Sequence, residues 1–338
     1  TLTTAYRFLI GKLIPRTGLV VVWGPPKCGK SFWVFDMLMH VAIGWQYRER
    51  RVQQGPVIYC AFEGQFGLRT RLAAFKKHYG LQLETTPFYI EMASLDLVRD
   101  HRGLIDAVRE HLGSQAPACI ALDTLNRSIA GSENNDEDMT AYIAAADVLK
   151  ETFECAVIVI HHCGIAGSRP RGHTALTGAA DVQIRVKLDK EGAIVAEIEL
   201  AKDGPSGEAI VSMLKQVDLG KDDAGEVISS MVVLPANADA VVRAATDKLN
   251  PKAKAAYDCF LATVEKQGVP PPPGASPGRN VLGVTEGVFR QALCDAKIIN
   301  AAAGYREQFR RINVTLINED LLRVSGEFLW ASHCVTKT

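Results

Sequence analysis

Between Leu19 and about Gly220, short apolar runs alternate with amphipathic stretches. The runs Leu19 to Trp23, Val57 to Phe62, Cys119 to Leu122 and Ala156 to Ile160 are largely apolar at successive positions, so both of their faces must be covered. Parallel strands sandwiched between helices have this pattern. Residues 30–42, 66–79, 100–112 and 138–152 carry apolar positions at helical spacing and are long enough to be crossover helices. The alternation predicts βαβ units, hence an α/β domain with a mainly parallel sheet. After residue 180 only strand patterns follow: Val182 to Leu188, Ile194 to Leu200, Ala209 to Val217 and Val227 to Leu234, separated by Asp-Lys-Glu-Gly, Gly-Pro-Ser-Gly and Asp-Asp-Ala-Gly turns. These are expected as antiparallel hairpins that extend one edge of the sheet.

The flanks read differently. Thr4 to Leu13, with Leu9, Ile10 and Leu13 on one side, is expected as a linker helix within residues 1–15, ahead of an α/β domain over 16–236. A connector over 237–250 leads to Pro251, after which Tyr257, Phe260, Leu261 and Val264 share a helical face. The proline-rich stretch from Pro270 to Gly278 must be loop. Two further helical patterns and an alternating pair, Leu322 to Val324 and Phe328 to Trp330, complete residues 251–338. Three helices and a terminal hairpin predict a small winged-helix domain.

Composition adds boundaries. At ~100–200 residues per domain, 338 residues suit about two domains, and 47% hydrophobic with 22% charged residues is ordinary for a globular protein. Lys plus Arg and Asp plus Glu both total 38, so any attraction to nucleic acid must come from a local patch. The eight cysteines include no CxxC pair, and Cys60, Cys119 and Cys155 lie in or beside strand-like runs, as reduced core residues of a cytoplasmic protein would. No apolar run approaches the ~18 residues of a membrane helix, and Thr1-Leu2-Thr3-Thr4 lacks the features of a signal peptide. The chain also begins without Met, as a fragment of a longer protein would.

The chemistry lies at the strand ends. Gly24-Pro25-Pro26-Lys27-Cys28-Gly29-Lys30-Ser31 matches GxxxxGKS between a strand and a helix that opens at Phe32. A triphosphate needs many donors at close range, and a glycine-containing loop at a helix N-terminus supplies N–H groups and the positive dipole end together. Lys30 is placed to reach the β- and γ-phosphates, and the Ser31 hydroxyl to ligate Mg²⁺. Asp123, closing an apolar strand, is a second candidate ligand. Glu63 ends the second strand, on the same rim as the P-loop if the sheet is parallel, where it can polarise an attacking water. His161-His162 ends the fourth strand. One imidazole is expected to sense the γ-phosphate while the other points to the opposite face, and nothing supplies the remaining ligands of a zinc site. The loop that follows, Cys163 to His173, carries Arg169 and Arg171.

Taken in order, GPPKCGKS, GPVIYCAFEGQ, ALDTLNRSIAGSENNDEDM, VIVIHHCGIAGSRPRGHTALTGAADVQIRV and LAKDGPSGE resemble the RecA-like hexameric ATPases of the plasmid replicative helicase (RepA-like) family, over about residues 5–210. The resemblance implies a ring-shaped, ATP-driven DNA helicase with ATP and Mg²⁺ as cofactors, a homo-hexamer on single-stranded DNA. It carries the catalytic glutamate onto Glu63, the Walker lysine, serine and aspartate onto Lys30, Ser31 and Asp123, and the strand-end histidine onto His162. The loop after that strand lines the channel in related rings, which makes Arg169 and Arg171 DNA-contact candidates. Related helicases often carry Lys-x-Arg before the Gly-Pro turn, reaching the neighbour's γ-phosphate. Here Lys202-Asp203-Gly204-Pro205 keeps one basic residue, so Lys202 is the candidate finger, with Arg171 or Arg185 as substitutes. A DNA-binding ATPase switch, acting as loader or regulator, would carry the same motifs, whereas a P-loop kinase would need an acceptor pocket.

Over residues 251–338 eleven basic side chains face eight acidic ones. On the helix near Tyr305, Phe309, Ile312 and Leu316 form the buried stripe. Arg306, Arg310 and Asn313, at i, i+4 and i+7, are expected on a solvent face, as on a recognition helix for duplex DNA or on a plain solvated helix.

Overall fold

Alternate residues of the strand leading into the P-loop are buried on opposite sides. Val20 and Val22 pack with Ile158, Ile160, Trp33 and Leu38 in one core, whereas Leu19, Val21 and Trp23 pack with Val157, Val159, Ile105 and Tyr142 in another. Each such side chain removed from water contributes roughly 1.5–3 kcal/mol, which is why every position of these runs must be apolar. The structure, a computed structural model, describes residues 8–82, 86–164, 169–204, 206–272, 281–300 and 304–333. The chain divides into two units, Thr1–Pro235 and Ala236–Thr338.

The first unit runs β1 (Phe8–Ile10), β2 (Ile14–Pro15), β3 (Gly18–Gly24), α1 (Lys30–Ile43), β4 (Val57–Ala61), α2 (Gln65–Tyr79), β5 (Phe88–Glu91), α3 (Leu97–Leu112), β6 (Cys119–Asp123), α4 (Leu125–Ser128), α5 (Asp136–Phe153), β7 (Ala156–His162), α6 (Ala175–Ala179), β8 (Val182–Leu188), β9 (Ile194–Ala201), β10 (Ala209–Lys221) and β11 (Val227–Pro235). Its nine-stranded sheet has the order β11-β10-β9-β8-β3-β7-β6-β4-β5. From β8 to β5 every neighbouring pair is parallel, whereas β9, β10 and β11 are antiparallel. With β3 between β7 and β8, and β6 and β4 further out, this is a RecA-like P-loop core.

Two expectations change here. Val182–Leu188 is a parallel neighbour of β3, pairing Val20 with Val182, and the antiparallel extension starts only at Ile194. The connection from His162 to Val182 contains α6 and is long enough for a crossover, which a hairpin turn is not. Residues 8–15, expected as a helix, form a short two-stranded ladder, Phe8 opposite Pro15. Gly11 and a left-handed Lys12 (φ 57°) turn the chain, and Gln53 N donates to Leu9 O at 2.9 Å. Leu9, Ile10, Leu13 and Ile14 are thus buried in this chain's own core. Residues 4–7 of that expected helix lie outside the described residues.

The second unit contains α7 (Ala238–Thr246), α8 (Pro251–Gln267), β12 (Gly283–Thr285), α9 (Glu286–Asp295), α10 (Tyr305–Asn318), β13 (Leu322–Ser325) and β14 (Phe328–Ala331). Asn237, Asn250 and Thr285 cap α7, α8 and α9 by accepting N–H groups of the first turn. The strands form an antiparallel sheet, β12-β14-β13. Phe289 lies edge-on to both Phe260 and Phe309, 5.0 and 5.7 Å between centroids, at the centre of the core. Residues 273–280 of the proline-rich loop lie outside the described residues.

Asp36, on the inner face of α1, is almost fully buried, with Arg48 at 3.4 Å and its Oδ1 without a hydrogen-bond partner. Burial pushes its carboxyl up to about 7 against the pull of Arg48. An acid raised in the folded state binds its proton more tightly there, so its contribution to stability is present at low pH and fades as pH rises from its ordinary value near 4 towards 7. Relative to Asp36→Asn, the wild type should therefore lose on the order of 1–3 kcal/mol between pH 5 and pH 8, read from denaturation midpoints of both proteins. Parallel pH curves would show that Asp36 is ionised throughout.

Candidate functional site

The loop between β3 and α1 folds as it does because its glycines allow it. A Cβ on Gly24 would lie 2.0 Å from Val186 O, and Gly29 (φ 88°) is left-handed with Ile194 Cδ1 2.5 Å from where a Cβ would stand. Lys30 opens α1, and its buried Nζ donates to Gly24 O (2.9 Å) and Pro25 O (2.7 Å), holding the ammonium across the loop. Pro25, Pro26 and Lys27 are exposed at the turn, Cys28 is buried with its Sγ 3.2 Å from Val186 O, and Phe32 lies in the first turn of α1.

Next to Lys30, the Ser31 hydroxyl donates to Asp123 Oδ1 at 3.1 Å, and the Tyr59 hydroxyl donates to Asp123 Oδ2 at 2.7 Å. Burial raises the Asp123 pKa, while the hydrogen bonds from Tyr59 and Ser31 and the charge of Arg71 work against that rise. A hydroxyl and a carboxylate side by side are the oxygen donors that a hard cation such as Mg²⁺ takes, so Ser31 and Asp123 fit it.

Register gathers the remaining groups. Gly24 lies opposite His162, and Ala61 opposite Asp123, so the carboxyl ends of β3, β4, β6 and β7 share one rim. Glu63 stands there, half exposed, with Thr124 Oγ1 3.4 Å and His162 Nε2 3.9 Å from its Oε2. Burial first, then the charge of Lys30, lowers the His162 pKa, which favours the neutral ring. His161 faces away and is buried, its Nε2 2.6 Å from Arg171 O.

Other candidates stand apart. β9 runs antiparallel to β8 and ends with Ala201 opposite Val182, so Lys202 lies on the rim opposite its own P-loop, Nζ 2.9 Å from Asp181 Oδ1. Arg185 lies over the Trp23 ring (5.3 Å) and 3.9 Å from Glu199. Arg169 is exposed, but Arg171 Nε sits 2.5 Å from the buried carboxylate of Glu133. Arg306 and Arg310 are exposed on α10, whereas Asn313 is buried, its Nδ2 donating to Glu286 Oε1 at 3.1 Å. At about 100° per residue, Asn313 borders the Phe309, Ile312, Leu316 stripe, and the start of α9 covers it. It is not on the solvent face.

Sequence reasoning missed Tyr59, Arg71 and Glu133. Arg71, from α2, stacks over Phe32 at 4.0 Å. An interior tyrosine on an apolar run and an acid in a polar loop carry no local signal of these partners. Among the described residues no group of three or more His, Cys, Asp or Glu is placed to hold a metal ion, and no helix is long and apolar enough to cross a membrane.

Residues 2–168 match the family model of an AAA domain. No curated protein matches the chain. Among solved structures it is similar to the RadB recombinase, at 18% identity over 59% of this chain and 87% of that one, with a TM-score of 0.45. It is also similar to a second solved protein, an ATPase domain, at 12% identity over 63% of this chain and 84% of that one, with a TM-score of 0.44. The family match falls on the part of the chain that carries the P-loop and the core strands β3 to β7.

Proposed function

We propose that this protein is an Mg²⁺-ATP-hydrolysing ring motor acting on DNA, most specifically a replicative DNA helicase of a plasmid, phage or prophage. The observation that carries the reading is the single rim on which Lys30, Ser31, Asp123, Glu63 and His162 meet. The loop N–H groups and Lys30 hold the phosphates. Ser31 and Asp123 would hold Mg²⁺, which would supply positive charge against the triphosphate oxygens. Glu63 accepts the proton of the attacking water, its exposure leaving room for that water. His162, neutral and beside Glu63, offers a nitrogen to the γ-phosphate side and continues directly into the loop bearing Arg169.

Lys202 cannot serve the P-loop of its own chain, being on the opposite rim, and it suits action on a neighbour's phosphates in a ring, with a hexamer as the expected assembly. From α8 onward the second unit runs helix, strand, helix, helix, strand, strand, an order that supports a winged helix. Arg306 and Arg310 on α10 and Arg323 on β13 would neutralise duplex phosphates, and the loop after β7 would meet single-stranded DNA. The test is ATP turnover with and without single-stranded DNA, run beside strand displacement on a forked duplex. Stimulation together with displacement is expected. Stimulation without displacement would make the protein an ATPase switch, and no turnover at all would end the reading.

A further inference from the structure

Residue 171 is fastened at three points. Its N–H donates to His162 O at 2.9 Å, its carbonyl lies 2.6 Å from His161 Nε2, and its Nε is 2.5 Å from Glu133 Oε1. Glu133 is 4% exposed although it sits in the polar segment between α4 and α5. Its other oxygen is 3.4 Å from Asn126 Nδ2, three residues past Asp123, and its backbone oxygen accepts from His173 N at 2.8 Å. Gly172 packs so closely that a Cβ there would lie 2.3 Å from Glu133 O. Below this anchor the chain closes on itself, Cys163 bridging Pro170 and Gly164 N donating to Arg169 O at 3.0 Å. A buried carboxylate is tolerated only when paired, so removing Arg171 leaves the Glu133 charge buried and uncompensated, whereas removing the Glu133 charge frees the half-exposed Arg171 and the loop it holds.

We propose that Glu133 and Arg171 are positioning residues: together they clamp the base of the loop after β7 to the nucleotide rim, and Arg169, not Arg171, is the phosphate contact of that loop. The pair spans the segment after Asp123 and the strand end bearing His162, so it ties the cation-binding strand to the DNA-facing loop. The DNA-facing half of this inference rests on the function proposed above, whereas the clamp itself does not.

Two measurements on the full chain separate them. Hydrogen exchange of the 171–173 amides, with no DNA present, should accelerate by about 10-fold or more in Glu133→Gln. Arg171→Gln, which removes the pair from its exposed side, should do the same and replaces Glu133→Gln if that variant fails to fold. Unchanged exchange would overturn the clamp. Binding of a fluorescent oligo(dT) across a salt series is the second measurement. Arg169→Ala should lower the slope of log affinity against log salt by about one, as loss of a phosphate contact does. Arg171→Gln should instead weaken binding by a similar factor of roughly 3–10 at every salt concentration, because only the ordering of the loop is lost. A slope reduced by about one in Arg171→Gln would make that residue a phosphate contact and defeat the assignment. Wild type that binds no oligo(dT) would defeat the DNA half and the proposed function with it, leaving the exchange result to decide the clamp.

Discussion

Glu63→Gln should still bind ATP·Mg²⁺ yet hydrolyse it roughly 10²–10⁴-fold more slowly, the range for loss of a general base. The substitution keeps the size and the ability to accept from Thr124 Oγ1, and removes only the charge that takes a proton. Glu63 is paired with Thr124 and His162 and not with Lys30, Ser31 or the loop, so nucleotide affinity, read with a fluorescent ATP analogue, should stay within a few-fold. Phosphate release gives the turnover. Turnover close to wild type would remove Glu63 from the mechanism and leave His162 and Thr124 as the polar groups nearest the same space.

Lys202→Ala should lower turnover by about 10²-fold or more, since a cation supplied to the transferring phosphate from a neighbouring subunit is worth a large factor in related chemistry. Lys202 is placed by its ion pair with Asp181 on the rim away from its own P-loop, so the loss should appear only where subunits meet. Mixing gives the decisive outcome. In a ring combining Lys202→Ala subunits with Glu63→Gln subunits, some interfaces pair an intact Glu63 with an intact Lys202, so the mixture should recover activity that neither variant has alone. A mixture no more active than its parts, or a Lys202→Ala protein with normal turnover, would reject the trans role. Arg185 would not inherit it readily, because it is engaged with the Trp23 face and Glu199.

The N-terminal segment shows where pattern runs out. Leu9, Ile10, Leu13 and Ile14 satisfy both a helical spacing and two short strands, and only the pairing of Leu9 and Gly11 with residues 51–53 decides for strands. β5 and β12 were invisible for a related reason. They are four and three residues long, too short to show a strand period, and β5 is only half buried. Asn313 follows the same logic on a helix. Its angular position borders the buried stripe, and the packing of α9 against α10 determines which side of the border it takes.

The features that the residues announce unaided are contiguous in the chain: the P-loop, the βαβ alternation, the carboxylates and histidines at strand ends, and the three helices with a terminal hairpin. They are legible because their physics is local, a glycine-bearing turn into a helix or a side-chain period set by the backbone. The order of the strands belongs to the folded molecule. It places β3 between β7 and β8, brings Tyr59 to Asp123 across 64 positions of chain, sends Lys202 to the far rim and joins Glu133 to Arg171. Those contacts arise from which strands lie side by side, and the polar groups they bury are stable only as pairs. Neither partner of a pair carries, in its own neighbourhood of sequence, any mark of the other.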